Sequence, residues 1–279
     1  MIEWINNTFG ISNEISVPTL ISIIVFVTGG IINFLFLKLK EYKNRKQNRD
    51  TFRFLLNEVN NDLRIKEKNM LLFYPKISIK RVDMLTFPLK TISYLDIIFE
   101  LDYKDIYYSY RKKNLMFKRI KDKAFHKIWA NLNELKFREE NLHNNLKDFN
   151  TSHNDKLESY NKHIEKYREY SEQQIHKQEK GFSDFILKEK QIWLNWEDLG
   201  EIRTHHYYSY NHLVLPLLKL NRENSNLAIT LKSGQLLVPC ELDYQEIENT
   251  TNYYHLVFKN YYTNYRNIKK VLIKCLDII

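Results

Sequence analysis

Twenty-one consecutive residues, Val17 to Leu37 (VPTLISIIVFVTGGIINFLFL), carry no formal charge. As a helix they rise about 31 Å, close to the hydrocarbon thickness of a bilayer. Asn33 and the Ser and Thr residues are tolerable inside such a helix. Gly29 and Gly30 are common enough in spanning helices, and they offer a small surface to a second copy, although no full Gly-x-x-x-Gly repeat is present.

The flanks set an expected orientation. Before the apolar run stand Glu3 and Glu14 and no Lys or Arg; after it come Lys38, Lys40, Lys43, Arg45, Lys46 and Arg49 against Glu41 and Asp50. A cleaved signal peptide would show the opposite charge order, a shorter apolar stretch and a small-residue cleavage site. The basic side stays in the cytoplasm, so the expected protein is single-pass with its N-terminus outside, in a bacterial inner or plasma membrane. A buried soluble helix is the rival reading of the same run. Trp4 and Phe9 precede the span, either resting at the outer interface as amphipathic aromatics do or belonging to a short frayed terminus.

The remaining chain reads as mostly α. Only 6 Gly and 5 Pro occur in 279 residues, which argues against Gly-rich nucleotide-binding enzymes and turn-dense β folds. With 43% hydrophobic and 28% charged residues, wholesale disorder is excluded. The net charge of +9 permits contact with anionic lipid or nucleic acid, but the basic residues are scattered. Cys240 and Cys275 have no close metal-ligand spacing, and two thiols fit a reducing compartment. Abundant Asn and Tyr with scarce Ala fit an AT-rich genome, a hint of a bacterial source.

Periodicity divides the chain into a short outer segment (1–16), the spanning helix (17–37), a juxtamembrane helical region (38–101), a long helical hairpin with a following helix (102–222), and a mixed C-terminal connector and helix (223–279). Phe52, Leu55, Leu56, Val59 and Leu63 share one helical face, and Tyr74-Pro75 ends that helix. An apolar stretch from Leu85 to Phe99 follows. Phe125, Ile128, Leu132, Leu135, Leu142, Leu146 and Phe149 form a heptad-like coiled-coil seam in which Glu139 takes one core slot. Asn150 to Asp155 reads as an interruption, with Ser152 as a cap. A second helix then runs from about Asn154 to Leu199 through Leu157, Tyr160, Ile164 and Tyr167, with Gly181 as a kink. The two fold back as an antiparallel hairpin, or the polar middle projects as an arm. A helix from about Arg203 to Leu220 follows, with Pro216 near its end or kinking it. Leu227 to Leu231 and Leu236 to Val238 flank Lys232-Ser233-Gly234, either as a small β-hairpin or as a short helix ending at Gly234. Thr250 or Thr251 caps the last helix.

Three groups of residues are candidates for chemistry. REENLH places Arg138 five residues before His143, with Asn141 nearby, and Arg119 precedes His126 by seven. Both pairs resemble the loose Arg/His signature of HEPN-type ribonucleases, which implies a helical RNA-cleaving effector working as a dimer. A chain with 12 Arg and 9 His produces about one such pair by chance, so solvated helix residues explain them as well. Glu197, Glu201, His205 and His212 fall on one face if their segment is a continuous helix, a face that could hold a metal or form a polar network. The Glu-x-x-His spacing of di-iron bundles is absent, and no metal or cofactor is assigned.

Tyr107, Tyr108, Tyr110, Tyr207, Tyr208, Tyr210, Tyr253, Tyr254, Tyr261, Tyr262 and Tyr265 stand near basic residues. They suit base stacking or helix-interface packing, and packing is favoured. No phosphate-binding loop, Gly-x-Ser-x-Gly elbow or His-Glu-x-x-His helix occurs.

The leading apolar helix, its basic flank, TFRFLLNEVNND (51–62) and NYYHLVFKNYYTNYRNIKKVL (252–272) together resemble bacterial membrane-associated phage abortive-infection proteins. The resemblance implies a defence role for a cytoplasmic helical domain and supplies no catalytic residue. The expected function is a membrane-anchored, non-enzymatic effector or sensor acting through a protein partner or a homo-oligomer. An RNA-binding or RNA-cleaving effector and a structural envelope adaptor are the alternatives.

Overall fold

A computed structural model describes residues 4, 7–8, 13–80, 87, 91–110, 115–177 and 183–279. Helix dominates, and the described residues contain no strand. In chain order the helices are α1 (Asn13–Phe73), α2 (Ser93–Glu100), α3 (Tyr103–Tyr110), α4 (Leu115–Lys177), α5 (Ser183–Glu197), α6 (His206–Ser209), α7 (Leu215–Glu223) and α8 (Ala228–Leu276). The chain forms two compact units, the division falling within each of the three long helices.

The first unit holds residues up to Val59, Ser93–Ile128 and Ile273–Ile279. Its core is aromatic: the Phe52 ring lies 6.0 Å from Tyr110 and 5.8 Å from Phe125. The Tyr110 hydroxyl donates to the Arg49 carbonyl at 3.0 Å, tying α3 to α1. Burial pushes the Tyr110 phenol up to about 12, so it stays protonated as a donor. Asp102 caps α3, its Oδ1 accepting from the backbone N–H of Lys104 (2.7 Å) and of Asp105 (3.1 Å).

The second unit comprises Asn60–Ile92 and Trp129–Leu272. Here the α4 seam is buried as its spacing requires: Leu132, Leu135, Leu142, Leu146 and Phe149 are all excluded from water. Its partner is α8, running the other way, since Glu139 meets Tyr265, Asn145 meets Tyr261, Lys156 meets Glu246 and Ser159 meets Asp243. The end of α1 packs there too, with Phe73 5.2 Å from Phe258 and Glu67 paired with Lys269. Tyr160, Tyr167, Leu213, Leu217, Leu237 and Cys240 continue the core toward α6 and α7.

Several expectations are corrected. Asn150 to Asp155 does not interrupt the helix but lies inside α4, so no hairpin turn forms there. The poor helix formers are held because Phe149 and Tyr160 on either side are buried, and packing outweighs propensity. The second helix expected from Asn154 to Leu199 is divided between α4 and α5; Gly181 lies outside the described residues. Leu227 to Val238 forms no β-hairpin, and no helix ends at Gly234: both Gly234 and Pro239 sit within α8. Neither Thr250 nor Thr251 is a cap. Thr251 is buried in mid-helix and donates to the Ile247 carbonyl at 2.7 Å.

The expected helix from Arg203 to Leu220 is three pieces. A 3₁₀ turn covers Gly200–Thr204, then comes α6, and a π-helical segment at Tyr210–Val214 leads into α7. Pro216 follows the π segment, in the first turn of α7, where its missing N–H is accommodated. The Tyr74-Pro75 stop is observed, since α1 ends at Phe73 and one 3₁₀ turn follows. The apolar stretch from Leu85 lies partly outside the described residues; its later part forms α2.

Candidate functional site

The leading feature is the N-terminal part of α1. From Pro18 to Lys40 every residue is exposed except the half-buried Leu20. Large apolar side chains stand open on all sides, Phe26 at 82% and Phe36 at 64%. A water-soluble amphipathic helix buries one stripe, and residues 18–40 of α1 bury none. Its polar side chains are managed locally: Ser22 donates to the Pro18 carbonyl at 2.9 Å, which satisfies a hydroxyl without water. No side chain approaches Gly29 or Gly30. The helix is long and apolar enough to cross a membrane.

A charged rim begins one turn later. The Lys38 ammonium sits 5.8 Å from the Phe34 ring and 3.2 Å from Glu41, and Arg45 reaches Glu41 from the other side. The Lys38 hydrogen bond and the Arg45 charge hold the Glu41 carboxyl below the usual range. Beside this rim a polar cavity of about 500 Å³ opens between α1 and α3, lined by Glu41, Asn44, Arg45, Gln47, Asn48, Asp105 and Tyr108.

The Arg/His pairs do not assemble. Arg138 pairs with Glu134 in the preceding turn at 2.5 Å, while His143 is exposed. Five residues apart on α4, they point about 140° from one another. Asn141 donates to its own helix, at Phe137, across 2.7 Å. Arg119 and His126 share a face but stand two turns apart. His126 shares a hydrogen bond with the Tyr103 hydroxyl, 2.9 Å, and its ring stacks on Tyr107.

The Glu197–His212 face is not formed. Gly200 breaks the helix with φ +63°, a left-handed conformation that suits glycine. His205 becomes the N-cap of α6, its Nδ1 accepting from the Tyr207 N–H at 3.3 Å. His212 stacks on Tyr208 instead. Among the described residues no group of three or more His, Cys, Asp or Glu is arranged to hold a metal.

The tyrosines mostly pack. Tyr110, Tyr261 and Tyr265 are buried, and of the eleven only Tyr108 and Tyr253 are exposed. Tyr210 and Tyr244 lie face to face at 3.8 Å.

Sequence reasoning missed two polar clusters in the second unit. His206 lies between His205 (4.2 Å between ring centroids) and His153 (5.6 Å). Burial lowers the His153 pKa and takes His206 down to about 3, and each neighbouring imidazole adds to the effect. His153 and His206 are far apart in sequence, so only the packing of α6 on α4 reveals them. The other cluster centres on Glu189, 1% exposed, whose carboxylate accepts from the Tyr167 hydroxyl at 2.6 Å; Ser233 donates to that hydroxyl at 3.0 Å. Burial raises the Glu189 pKa. The Cys240 thiol is likewise pushed up to about 12 by burial and is inert.

No family model, curated protein or solved structure matches this chain. Its function must be argued from its own residues.

Proposed function

We propose that the chain is a single-pass membrane protein whose residues 17–37 cross a bacterial inner membrane. Residues 1–16 lie outside and the helical units lie in the cytoplasm. One observation carries this reading: an uncharged helix segment exposed on every side, followed at once by a basic flank. In water such a surface would drive aggregation. In lipid it is the ordinary solution, because every backbone group is paired within the helix.

The cytoplasmic helices act as a non-enzymatic effector or sensor through protein contacts, in defence against phage. Support for a non-enzymatic role comes from the placement of the polar groups. Arg138 and His143 diverge on α4, and the buried Glu189 and His206 are enclosed by their own helices. The defence assignment rests on the resemblance of the anchor, the 51–62 segment and the 252–272 segment to abortive-infection proteins.

The test is expression of the full chain in bacteria challenged with phage, beside a variant carrying Ile24→Lys, Phe26→Lys and Ile31→Lys. The reading predicts that the wild-type chain resists alkaline extraction from membranes and lowers plaque counts. The variant should lose both properties. Equal plaque counts across a broad phage panel, with and without the chain, would remove the defence assignment.

A further inference from the structure

The outward face of α8 differs in composition from its flanks. At about 100° per residue, positions 231, 235, 238, 242, 245, 249, 253, 256, 260, 263 and 267 stay within about 40° of one line along the helix. All eleven are exposed and none is charged. Of the six other exposed residues between 231 and 270, five are charged: Lys232, Glu246, Lys259, Arg266 and Lys270. The charges therefore stand to either side of a neutral strip, all of it within the second unit.

Part of the strip is apolar. Leu231 is 72% exposed, and Val238, Leu242, Tyr253 and Leu256 are open as well. The strip is about 54 Å long and about 11 Å wide, so two such faces in contact bury about 1,200 Å² in total. That reaches the lower end of the range for specific interfaces. A neutral centre with a charged rim is also the composition of such interfaces.

The chemistry of the strip selects its occupant. When a face meets its own copy in parallel register, each residue lies against itself. A charge there would oppose an identical charge, so the face has to be neutral. A foreign partner sets no such condition, since it can supply the opposite sign. The polar groups that remain have to be their own complement. They are Gln235, Gln245, Asn249, Asn260, Asn267 and Thr263, amides and a hydroxyl that both donate and accept. A lipid surface would cover the apolar residues but would take those amides from water without partners. The register follows from the anchor. Copies held in one bilayer are related by an axis along the membrane normal, and α8 runs beside the end of α1, with Glu67 paired to Lys269 and Phe73 against Phe258. We infer that the neutral strip of α8 binds a second copy of this chain in parallel, with Tyr253 against Tyr253 and Asn249 against Asn249. The parallel register rests on the membrane-spanning reading above; the strip itself does not.

The experiment uses the full chain reconstituted in phosphatidylcholine vesicles, with single cysteines introduced by Leu242→Cys, Asn267→Cys or Lys259→Cys, all at exposed positions. The native Cys240 and Cys275 are buried. Under mild oxidation, Leu242→Cys and Asn267→Cys chains should each cross-link to themselves about tenfold faster than Lys259→Cys chains, because a disulfide needs Cβ atoms within about 4.5 Å. Adding Leu242→Lys to the Asn267→Cys chain should abolish its cross-link. Mixing that chain with one carrying Leu242→Glu and Asn267→Cys should restore it, as a pair of the two chains. Equal rates at all three positions, or no cross-link at either strip position, would overturn the second copy as occupant and leave the strip to a foreign partner. Cross-linking only between a Leu242→Cys chain and an Asn267→Cys chain would overturn the parallel register. Extraction of the wild-type chain by an alkaline wash would remove the membrane-spanning reading, and the same cross-links measured on the released chain would still test the strip.

Discussion

Tyr265 on α8 donates its phenolic hydrogen to Glu139 on α4 across 2.7 Å, and Lys66 on α1 pairs with the other carboxylate oxygen. Glu139 occupies a position that heptad spacing reserves for an apolar side chain. The carboxylate is tolerated because two other helices bring it a cation and a hydroxyl. Lys66 is 5% exposed and Tyr265 is fully buried, so the group is a junction of three helices within the second unit.

Breaking this junction by halves should be worse than removing it. Lys66→Met leaves a buried carboxylate without its cation and should destabilise the protein by about 3 kcal/mol, and Tyr265→Phe by about 1 kcal/mol. Lys66→Met combined with Glu139→Leu should recover most of the first loss. Chemical unfolding of the full chain in detergent, followed by helical circular dichroism, measures all three.

The histidine cluster makes the second unit acid-sensitive. His206 has a folded-state pKa of about 3 against an ordinary value of 6.5. Its neutral form is the one that fits, so its contribution is complete above 6.5 and is lost as pH falls toward 3. The loss should approach about 1.4 kcal/mol per pH unit for one proton. Melting temperatures of the wild-type chain should fall between pH 7 and pH 5, and His206→Phe should flatten that slope.

Glu189 acts in the opposite sense. Its folded pKa is raised by burial, so the stability it supports is complete below the ordinary 4.5 and declines as pH climbs through the raised value. Glu189→Gln keeps an acceptor for Tyr167 and removes the ionisation. The variant should melt higher than wild type above the raised value and show a weaker pH dependence as pH climbs from 4.5.

Gly200 offers a backbone test. An added Cβ would meet nothing within 4 Å, so the only obstacle is φ +63°. Gly200→Ala should cost about 1 kcal/mol and Gly200→Asn less, because Asn tolerates the left-handed region.

Much of the helix pattern was legible in the residues. Phe52, Leu55, Leu56, Val59 and Leu63 are all buried, as are Leu132, Leu135, Leu142, Leu146 and Phe149. Their three- and four-residue spacing carries that information without help from the rest of the chain. The breaks were harder to read. Asn150 to Asp155 has the composition of a turn, yet α4 passes through it because Lys156, Ser159 and His163 engage Glu246 and Asp243 on α8. Pro239 and Gly234 persist inside α8 for a similar reason, with Ser233, Leu237 and Cys240 buried around them. Conversely, Glu197 to His212 looks like one helical face until Gly200 turns the chain. The histidine and Glu189 clusters depend on contacts between distant segments, which local periodicity does not encode.

The central claim is that α1 crosses a bilayer with its N-terminus outside. Cys240 and Cys275 are buried, so single cysteines introduced by Asn7→Cys and Lys46→Cys report position cleanly. In intact cells, with the outer membrane made permeable, a membrane-impermeant maleimide should label position 7 and leave position 46 unlabelled until the inner membrane is opened. Labelling of position 46 with protection of position 7 would reverse the orientation. Labelling of both in a fraction released by alkaline wash would contradict the span itself.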